Sequence, residues 1–357
     1  MAIINFSDLN NGDKINLGAD KLVFDGGIDA ADVAIGSTRA GLVLSVGGTS
    51  ITLKVWVIGN LHGDQVAFGN SSELLVGDAQ FTLNNDNNAN LLSSFFLGND
   101  NHDQILGLGG DDDMSGGEGN DKIYGNAGRD ILKGDGDDDV LDGGTMNDQI
   151  FGGLGNDTIK ITGANTGNDR VKGGEGNDEI FYSGASREWK QRIDGEAGND
   201  VVHGGKGDDR LWGGADNDTV TGFGGDDLII GGLGADLLDG KQGKDTYRIT
   251  AADSPSIVGE FDNVLHFYTG KDIFDLDLVG TSINYIEQAL STDDFGAAAA
   301  KAVELFITNE GLKDYVFIAG LTRGWLFGEF TGDNTPDLAI EIGNGVGLDR
   351  LDFNDII

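Results

Sequence analysis

The chain has 357 residues, 61 of them Gly and none Cys, and a formal net charge of −38. Its length holds two or three domains. The charge excludes nucleic acid and anionic membranes as partners, and the lack of Cys beside four His argues against zinc or copper sites.

The first residues, Met-Ala-Ile-Ile-Asn, show neither a basic segment nor a long apolar run, so no Sec-type signal peptide is expected. No run of about 18 apolar residues follows, so no helical membrane span is expected either. Residues 1–97 read as an all-β module. Lys21–Phe24, Gly41–Val46, Ile51–Ile58 and Gln65–Phe68 are β-rich runs between Gly, Asn and Asp clusters. Such a module closes the open apolar end of a stacked structure. It is longer than capping requires, so an interaction role is expected too. Asn84–Asn90 reads as a polar linker.

From Gly98 to Arg248 one nine-residue phrase recurs: Gly-Gly-x-Gly-x-Asp-x-apolar-x. Gly116–Tyr124, Gly152–Lys160, Gly173–Phe181, Gly204–Trp212 and Gly231–Asp239 are clean copies. Fifteen copies begin at 98, 107, 116, 125, 134, 143, 152, 164, 173, 195, 204, 213, 222, 231 and 240. The sixth position is Asp in all fifteen, and the eighth is Ile, Leu, Val or Met, with Tyr247 in the last. Gly at the first, second and fourth positions suits positive φ in a tight turn. The last three residues suit a short strand with one side chain inward. A single copy cannot bury its apolar face, so the copies must stack, alternate copies forming two rows of Gly-Asp turns.

Stacking brings like-charged Asp side chains together, which is unfavourable without a cation between them. Carboxylates and turn carbonyls are hard oxygen ligands and suit Ca2+ at roughly 2.3–2.6 Å. The plainer reading, Asp as a turn former, would admit Asn or Ser at the sixth position, and neither occurs there. By region the net charge is −6 over 1–97, −18 over 98–248 and −14 over 249–357. A Gly-rich tract of this kind is expected to be disordered without metal and to fold on binding it.

These repeats resemble the RTX (repeats-in-toxin) calcium-binding proteins. The resemblance implies a mostly β fold, a parallel β-roll in which two repeats make one coil. It also implies calcium ions between turns stacked on the same side, held by the sixth-position Asp and by backbone carbonyls. Carried over residue by residue, the side-chain ligands are Asp103, Asp112, Asp121, Asp130, Asp139, Asp148, Asp157, Asp169, Asp178, Asp200, Asp209, Asp218, Asp227, Asp236 and Asp245. About a dozen ions are expected if two stacked turns share each one. Asn101, Asp137, Met146 and Asp216 replace the fourth-position Gly. Strained φ there costs about 1 kcal/mol or more, so the neighbouring sites are expected to be the weakest. Residues Asp32–Asp78 resemble the β-modules found beside haemolysin-type calcium repeats.

Ile161–Gly163 adds three residues, and Tyr182–Asp194 reads as a degenerate copy with a four-residue insertion. Ile193 takes its apolar position and Gln191 stands where Asp belongs, which makes sixteen half-coils, or eight coils. Arg187, Lys190 and Arg192 gather there around Trp189. Two readings are open: a binding knob, or a bulged loop whose basic groups neutralise the acidic roll.

Residues 249–357 read as short strands and one helix. A strand at Val264–Tyr268 leads to a helix expected around Ile283–Phe306, where AAAAKAVELF has good helix propensity. Strands return at Tyr315–Ile318, Trp325–Phe330 and Leu338–Ile342. The phrases FGEFTGDNTPDLAIEI and LDRLDF resemble the C-terminal domain of serralysin-like proteins, at Asp333, Asp337, Ile340, Asp352 and Phe353. That resemblance implies a capping region carrying an uncleaved signal for the type I secretion machinery.

No H-E-x-x-H and no G-x-S-x-G occurs. His62, His102, His203 and His266 have no recognisable catalytic partners, His102 and His203 reading as surface groups. The expected function is therefore a secreted, non-catalytic calcium protein of an extracellular layer, filament or biofilm matrix. Self-assembly or cell-surface polysaccharide would supply its contacts. The other reading is a soluble secreted effector acting on a host or a membrane.

Overall fold

The computed structural model describes residues 102–107, 109–162, 166–183, 189–249, 261–268 and 271–276, with Asp294, Pro336 and the strands and helix named below that lie outside those ranges. Two compact units divide the chain: Met1–Glu175 with Ser183–Ala185, and Gly176–Tyr182 with Ser186–Ile357.

Eight short strands lead the first unit: β1 (Ile3–Asn5), β2 (Asp13–Ile15), β3 (Lys21–Phe24), β4 (Ala34–Thr38), β5 (Gly41–Val46), β6 (Thr49–Lys54), β7 (Val66–Phe68) and β8 (Leu74–Val76). Strands β1, β3 and β7 pair in parallel. The β4–β5–β6 meander is antiparallel and β2 joins β6 in parallel. The expected runs Lys21–Phe24 and Gly41–Val46 are β3 and β5 residue for residue. The Asn84–Asn90 linker and Val55–Ile58 lie outside the described residues.

The repeats of this unit fold as β9 (Gln104–Leu106), β10 (Asp113–Gly117), β11 (Lys122–Tyr124), β12 (Ile131–Asp135), β13 (Val140–Asp142), β14 (Gln149–Leu154), β15 (Thr158–Ile161) and β16 (Arg170–Glu175). Within the repeats successive strands do not pair: β9-β11-β13-β15 pair in parallel, extended by β8 alongside β9, and β10-β12-β14-β16 pair in parallel, so two repeats close one coil.

In the second unit the repeats continue as β17 (Glu179–Tyr182), β18 (Arg192–Ala197), β19 (Val201–Gly205), β20 (Arg210–Ala215), β21 (Thr219–Phe223), β22 (Leu228–Leu233), β23 (Leu237–Asp239) and β24 (Thr246–Arg248). These eight strands also pair alternately in parallel, two to a coil, so this unit, like the first, holds four coils of a parallel β-roll. The degenerate copy is one of these strands, with Ile193 inward in β18. Two further strands, β25 (Asp262–Leu265) and β26 (Ile273–Asp275), stack in parallel on β23 and β24. They add a coil that the nonapeptide does not announce.

An apolar column runs inside the roll of each unit. All fifteen eighth-position residues are at most 1% exposed, as are Ile193, Val264 and Phe274. Each contributes about 1.5–3 kcal/mol by burial, and among the described residues few others join them in the repeats, Leu106, Ile161 and Ile249 being buried as well. Near the end of the repeats the column widens into aromatics. Phe267 stacks on Phe274 at 4.4 Å between centroids, and the Tyr247 hydroxyl accepts the Gly240 N–H at 2.8 Å.

The chain then forms β27 (Tyr285–Ala289), α1 (Phe295–Thr308), β28 (Tyr315–Ala319), β29 (Arg323–Gly328) and β30 (Leu338–Gly343). Strand β30 pairs in parallel with β25, β29 runs antiparallel to both β30 and β28, and β27 lies parallel to β28. The helix is shorter than expected. Asp294 caps it, its Oδ1 accepting the Ala297 N–H at 2.7 Å, and the residues before it pair as a strand. Tyr285 and Ile286 find partners in Tyr315 and Val316, and sheet pairing overrides the helical reading of that stretch. Ala298 and Ala302 let α1 settle on Trp325, Phe327 and Ala339. No described helix is long and apolar enough to cross a membrane.

Candidate metal centre

Each repeat turns sharply before its strand. At the second and fourth positions the turn requires positive φ, and residues other than Gly adopt it as well. Asn126, Asp135, Glu196, Phe223 and Lys241 at the second position have φ from 66° to 76°; Asp137, Met146 and Asp216 at the fourth have 68° to 82°. The strain expected at Asp137, Met146 and Asp216 is therefore present, and Asn101 lies outside the described residues. The first-position Gly corrects the expectation. Gly116, Gly125 and Gly134 are outside the left-handed region, and space is what they supply. A Cβ on Gly125 would lie 2.5 Å from Asp130 Oδ2 and 2.5 Å from the Gly143 carbonyl oxygen. A carboxylate oxygen from the turn and a carbonyl oxygen from the stacked coil thus converge on the room a side chain would fill.

The sixth-position Asp residues stack in two rows. In the first unit the N–H of Asp103 donates to Asp121 Oδ1, Asp121 to Asp139 and Asp139 to Asp157, at 2.7, 2.7 and 2.8 Å. The second row runs Asp112, Asp130, Asp148, Asp169, at 2.9, 2.9 and 2.8 Å. In the second unit Asp178, Asp200, Asp218 and Asp236 form one row at 2.8, 2.8 and 2.9 Å. The other starts at Gln191 and passes through Asp209, Asp227 and Asp245 at 2.6, 2.8 and 3.0 Å. All fifteen expected Asp are buried, none more than 2% exposed.

Two residues of these rows carry no nonapeptide signature. Asp236 donates to Asp262 Oδ1 and Asp245 to Asp272 Oδ1, both at 3.1 Å. Both acceptors are fully buried. Only the Asp-x-apolar remnant, Asp262-x-Val264 and Asp272-x-Phe274, survives to mark them.

The second carboxylate oxygen is the problem of the site. Oδ2 of Asp121, Asp130, Asp139, Asp148, Asp200, Asp209, Asp218, Asp227 and Asp245 is buried and accepts no hydrogen bond. Burial accordingly pushes these groups up. Asp139 and Asp148 rise to about 9, Asp218 and Asp227 to about 8, Asp121, Asp169, Asp200, Asp209 and Asp245 to about 7, and Asp130 to about 6. The N–H from the stacked coil opposes the rise in every case, and neighbouring carboxylates add to it in most.

Outside this ladder runs another in the opposite sense, at the fifth position. The N–H of Asn156 donates back to Asp138 Oδ1 at 2.7 Å, Asn199 to Asn177 at 2.7 Å and Asp226 to Asp208 at 3.0 Å. His102 belongs to this series, its Nδ1 accepting the Asn120 N–H at 3.0 Å. His203 is not the surface group expected: it is half-buried between Phe181 and Phe223, with centroids 5.2 Å away on each side. His266 pairs with Asp239 at 3.0 Å.

Around the insertion Lys190 Nζ meets Asp208 Oδ2 at 2.6 Å, and Arg192 lies 5.0 Å over the Trp212 ring. Arg187 lies outside the described residues, as do His62, Asp333, Asp337, Asp352 and Phe353. Ile340 is buried in β30.

Among the described residues no three His, Asp or Glu side chains converge on one point. A cation here would be shared by carboxylates of neighbouring half-coils and by turn carbonyls. That donor set is all hard oxygen, with no sulfur and no imidazole, and it fits calcium.

The fold and its rows define a calcium-type β-roll. The family model described as "RTX calcium-binding nonapeptide repeat (4 copies)" matches residues 97–132, 124–159, 164–184, 191–220 and 217–247. The chain carries RTX calcium-binding repeats. Among solved structures it resembles the solution structure of the AlgE6R3 subunit of the Azotobacter vinelandii mannuronan C5-epimerase, at 20% identity and a TM-score of 0.30, over 55% of this chain and 81% of that one. No curated protein matches the chain.

Proposed function

We propose that this is a secreted, non-catalytic calcium protein whose roll folds on the metal outside the cell, in a structural or surface-associated role. The fifteen expected Asp, with Asp262, are its side-chain ligands, and turn carbonyls complete the shells. One observation carries the reading: rows of buried carboxylates whose Oδ2 atoms accept no hydrogen bond. Such rows are costly as bare charges and stable as calcium ligands. Bound calcium would supply the positive charge that lets neighbouring carboxylates remain ionised side by side. Millimolar extracellular calcium suits ladders of this kind better than the cytosol does.

Residues 1–97 serve as a capping and interaction module. Residues 249–357 cap the other end of the repeat sequence, add the coil of β25 and β26, and carry the signal read by the type I secretion machinery. Copies of the chain or cell-surface polysaccharide provide the contacts of an extracellular layer, filament or biofilm matrix.

The test is calcium titration of chelator-treated full-length protein, followed by circular dichroism and light scattering together. A β signal that grows with calcium while particle size rises supports a calcium-triggered assembling protein. Folding at constant monomer size removes assembly from the proposal. No change in either signal refutes it entirely.

A further inference from the structure

One half-coil of the second unit departs from the pattern in charge but not in shape. Lys190 and Gln191 occupy the fifth and sixth positions, where the next half-coils of that row have Asp208–Asp209, Asp226–Asp227 and Lys244–Asp245. Gln191 is 2% exposed and its N–H reaches Asp209 Oδ1 at 2.6 Å, as an aspartate's would. Ile193 stays opposite Leu211 in register. The backbone of Gln191 thus keeps the ladder while its side chain brings no charge. The step from Gln191 to Asp209 offers one carboxylate, whereas the steps Asp209–Asp227 and Asp227–Asp245 offer two each.

A cation of the chain stands beside that step. Lys190 Nζ lies 2.6 Å from Asp208 Oδ2, and Asp208 Oδ1 accepts the Asp226 N–H at 3.0 Å. The far end of the row is closed as well. Asp272 receives the Asp245 N–H on Oδ1 at 3.1 Å and the Tyr268 N–H on Oδ2 at 2.8 Å. Between these ends, Oδ2 of Asp209, Asp227 and Asp245 accepts no hydrogen bond.

We infer that this row is bounded by the chain's own donors: Lys190 stands in for a calcium ion at its first step, the Tyr268 N–H closes its last, and metal is taken only among Asp209, Asp227 and Asp245. The opposite row of the unit has Asp at every step from Asp178 to Asp262, so the two rows load unequally. A neutral amide is a weaker ligand for a hard divalent ion than a carboxylate, and an ammonium ion beside it repels one. The first step therefore keeps its register without metal. This inference rests on the calcium reading proposed above.

The test counts calcium ions on the full chain by native mass spectrometry, for the wild type and for a Lys190→Asn, Gln191→Asp double variant. Restoring the Asn-Asp pair is expected to add one ion. An unchanged or smaller count in a variant that reaches the wild-type β signal at saturating calcium overturns the inference. Lys190→Met covers the case in which the double variant does not fold. It should leave the ion count unchanged and raise the calcium midpoint of folding about two- to fivefold, the range for loss of an exposed ion pair; an unmoved midpoint also overturns the inference. If the wild type takes up no calcium, the proposed function falls and this inference falls with it. A wild type that loads calcium beside a double variant that gains no ion sinks the inference alone.

Discussion

The backbone N–H of Asp121 donates to Asp139 Oδ1 over 2.7 Å, while Oδ2 of the same Asp139 carboxylate is buried and accepts no hydrogen bond. One oxygen sets the register of the coils, and the other is left for a cation. The pair explains why the sixth position never becomes Asn: the amide oxygen could keep the ladder, but the charge needed by the second role would be gone.

The metal-free roll should be more stable in acid than in base. Burial raises these carboxylates from 3.8 to values between about 6 and about 9. Groups raised on folding contribute stability that is fully present below about 3.8 and is lost as pH climbs through 6 to 9. Circular dichroism in chelator is expected to show more β signal at pH 5 than at pH 9, with the order reversed at saturating calcium because the metal displaces protons. A chelated protein that folds better at pH 9 contradicts this account.

Gly116→Ala isolates the role of space. The backbone of Gly116 lies outside the left-handed region, so Ala would ordinarily add about 0.5–1 kcal/mol. Its Cβ would instead press on the Asp121 carboxylate and close on the Gly134 carbonyl. The calcium midpoint of folding should rise about tenfold or more, about 1.4 kcal/mol. A midpoint at or below the wild type's would show that the cradle is not needed.

Met146→Gly goes the other way. Met146 holds φ of 82° with its side chain 53% exposed, so it carries strain without apolar burial in return. Relief of about 1 kcal/mol should raise the melting temperature of the calcium-loaded protein by about 2–4 °C. Calorimetry showing a lower melting temperature would mean that the methionine contributes a contact worth more than the strain.

Asp262→Asn probes the coil that lacks a repeat signature. The Asn oxygen can still accept the Asp236 N–H, so the backbone ladder should survive while one carboxylate is lost. The loaded chain is expected to carry one calcium fewer by native mass spectrometry, with an unchanged β signal at saturation. An unchanged ion count would place Asp262 in the fold but outside the metal row.

The apolar eighth position located the inward residue of every half-coil, Ile193 of the degenerate copy included, because an inward side chain recurring every nine residues leaves the period no freedom to drift. The coil of β25 and β26 was hidden for the opposite reason. Strand β30 pairs beside β25 where a further repeat would stack, and only Asp262-x-Val264 and Asp272-x-Phe274 remain of the signature. Tyr285–Ala289 misled because so short a run, Tyr-Ile-Glu-Gln-Ala, fits either period until a partner strand is known. The reason for the first-position Gly was equally illegible: conformational freedom and empty space demand the same residue, and only coordinates separate them.

The ladder bond from Asp148 to Asp169 spans 21 residues and that from Asp178 to Asp200 spans 22, against 18 elsewhere in the repeats, yet both stay at 2.8 Å. The roll counts coils and is indifferent to residues added between them. A gene encoding such a tract can lengthen by duplicating eighteen-residue blocks, or accept inserted loops, without renegotiating any existing contact. A nine-residue duplication, by contrast, would exchange the two rows for everything downstream of it.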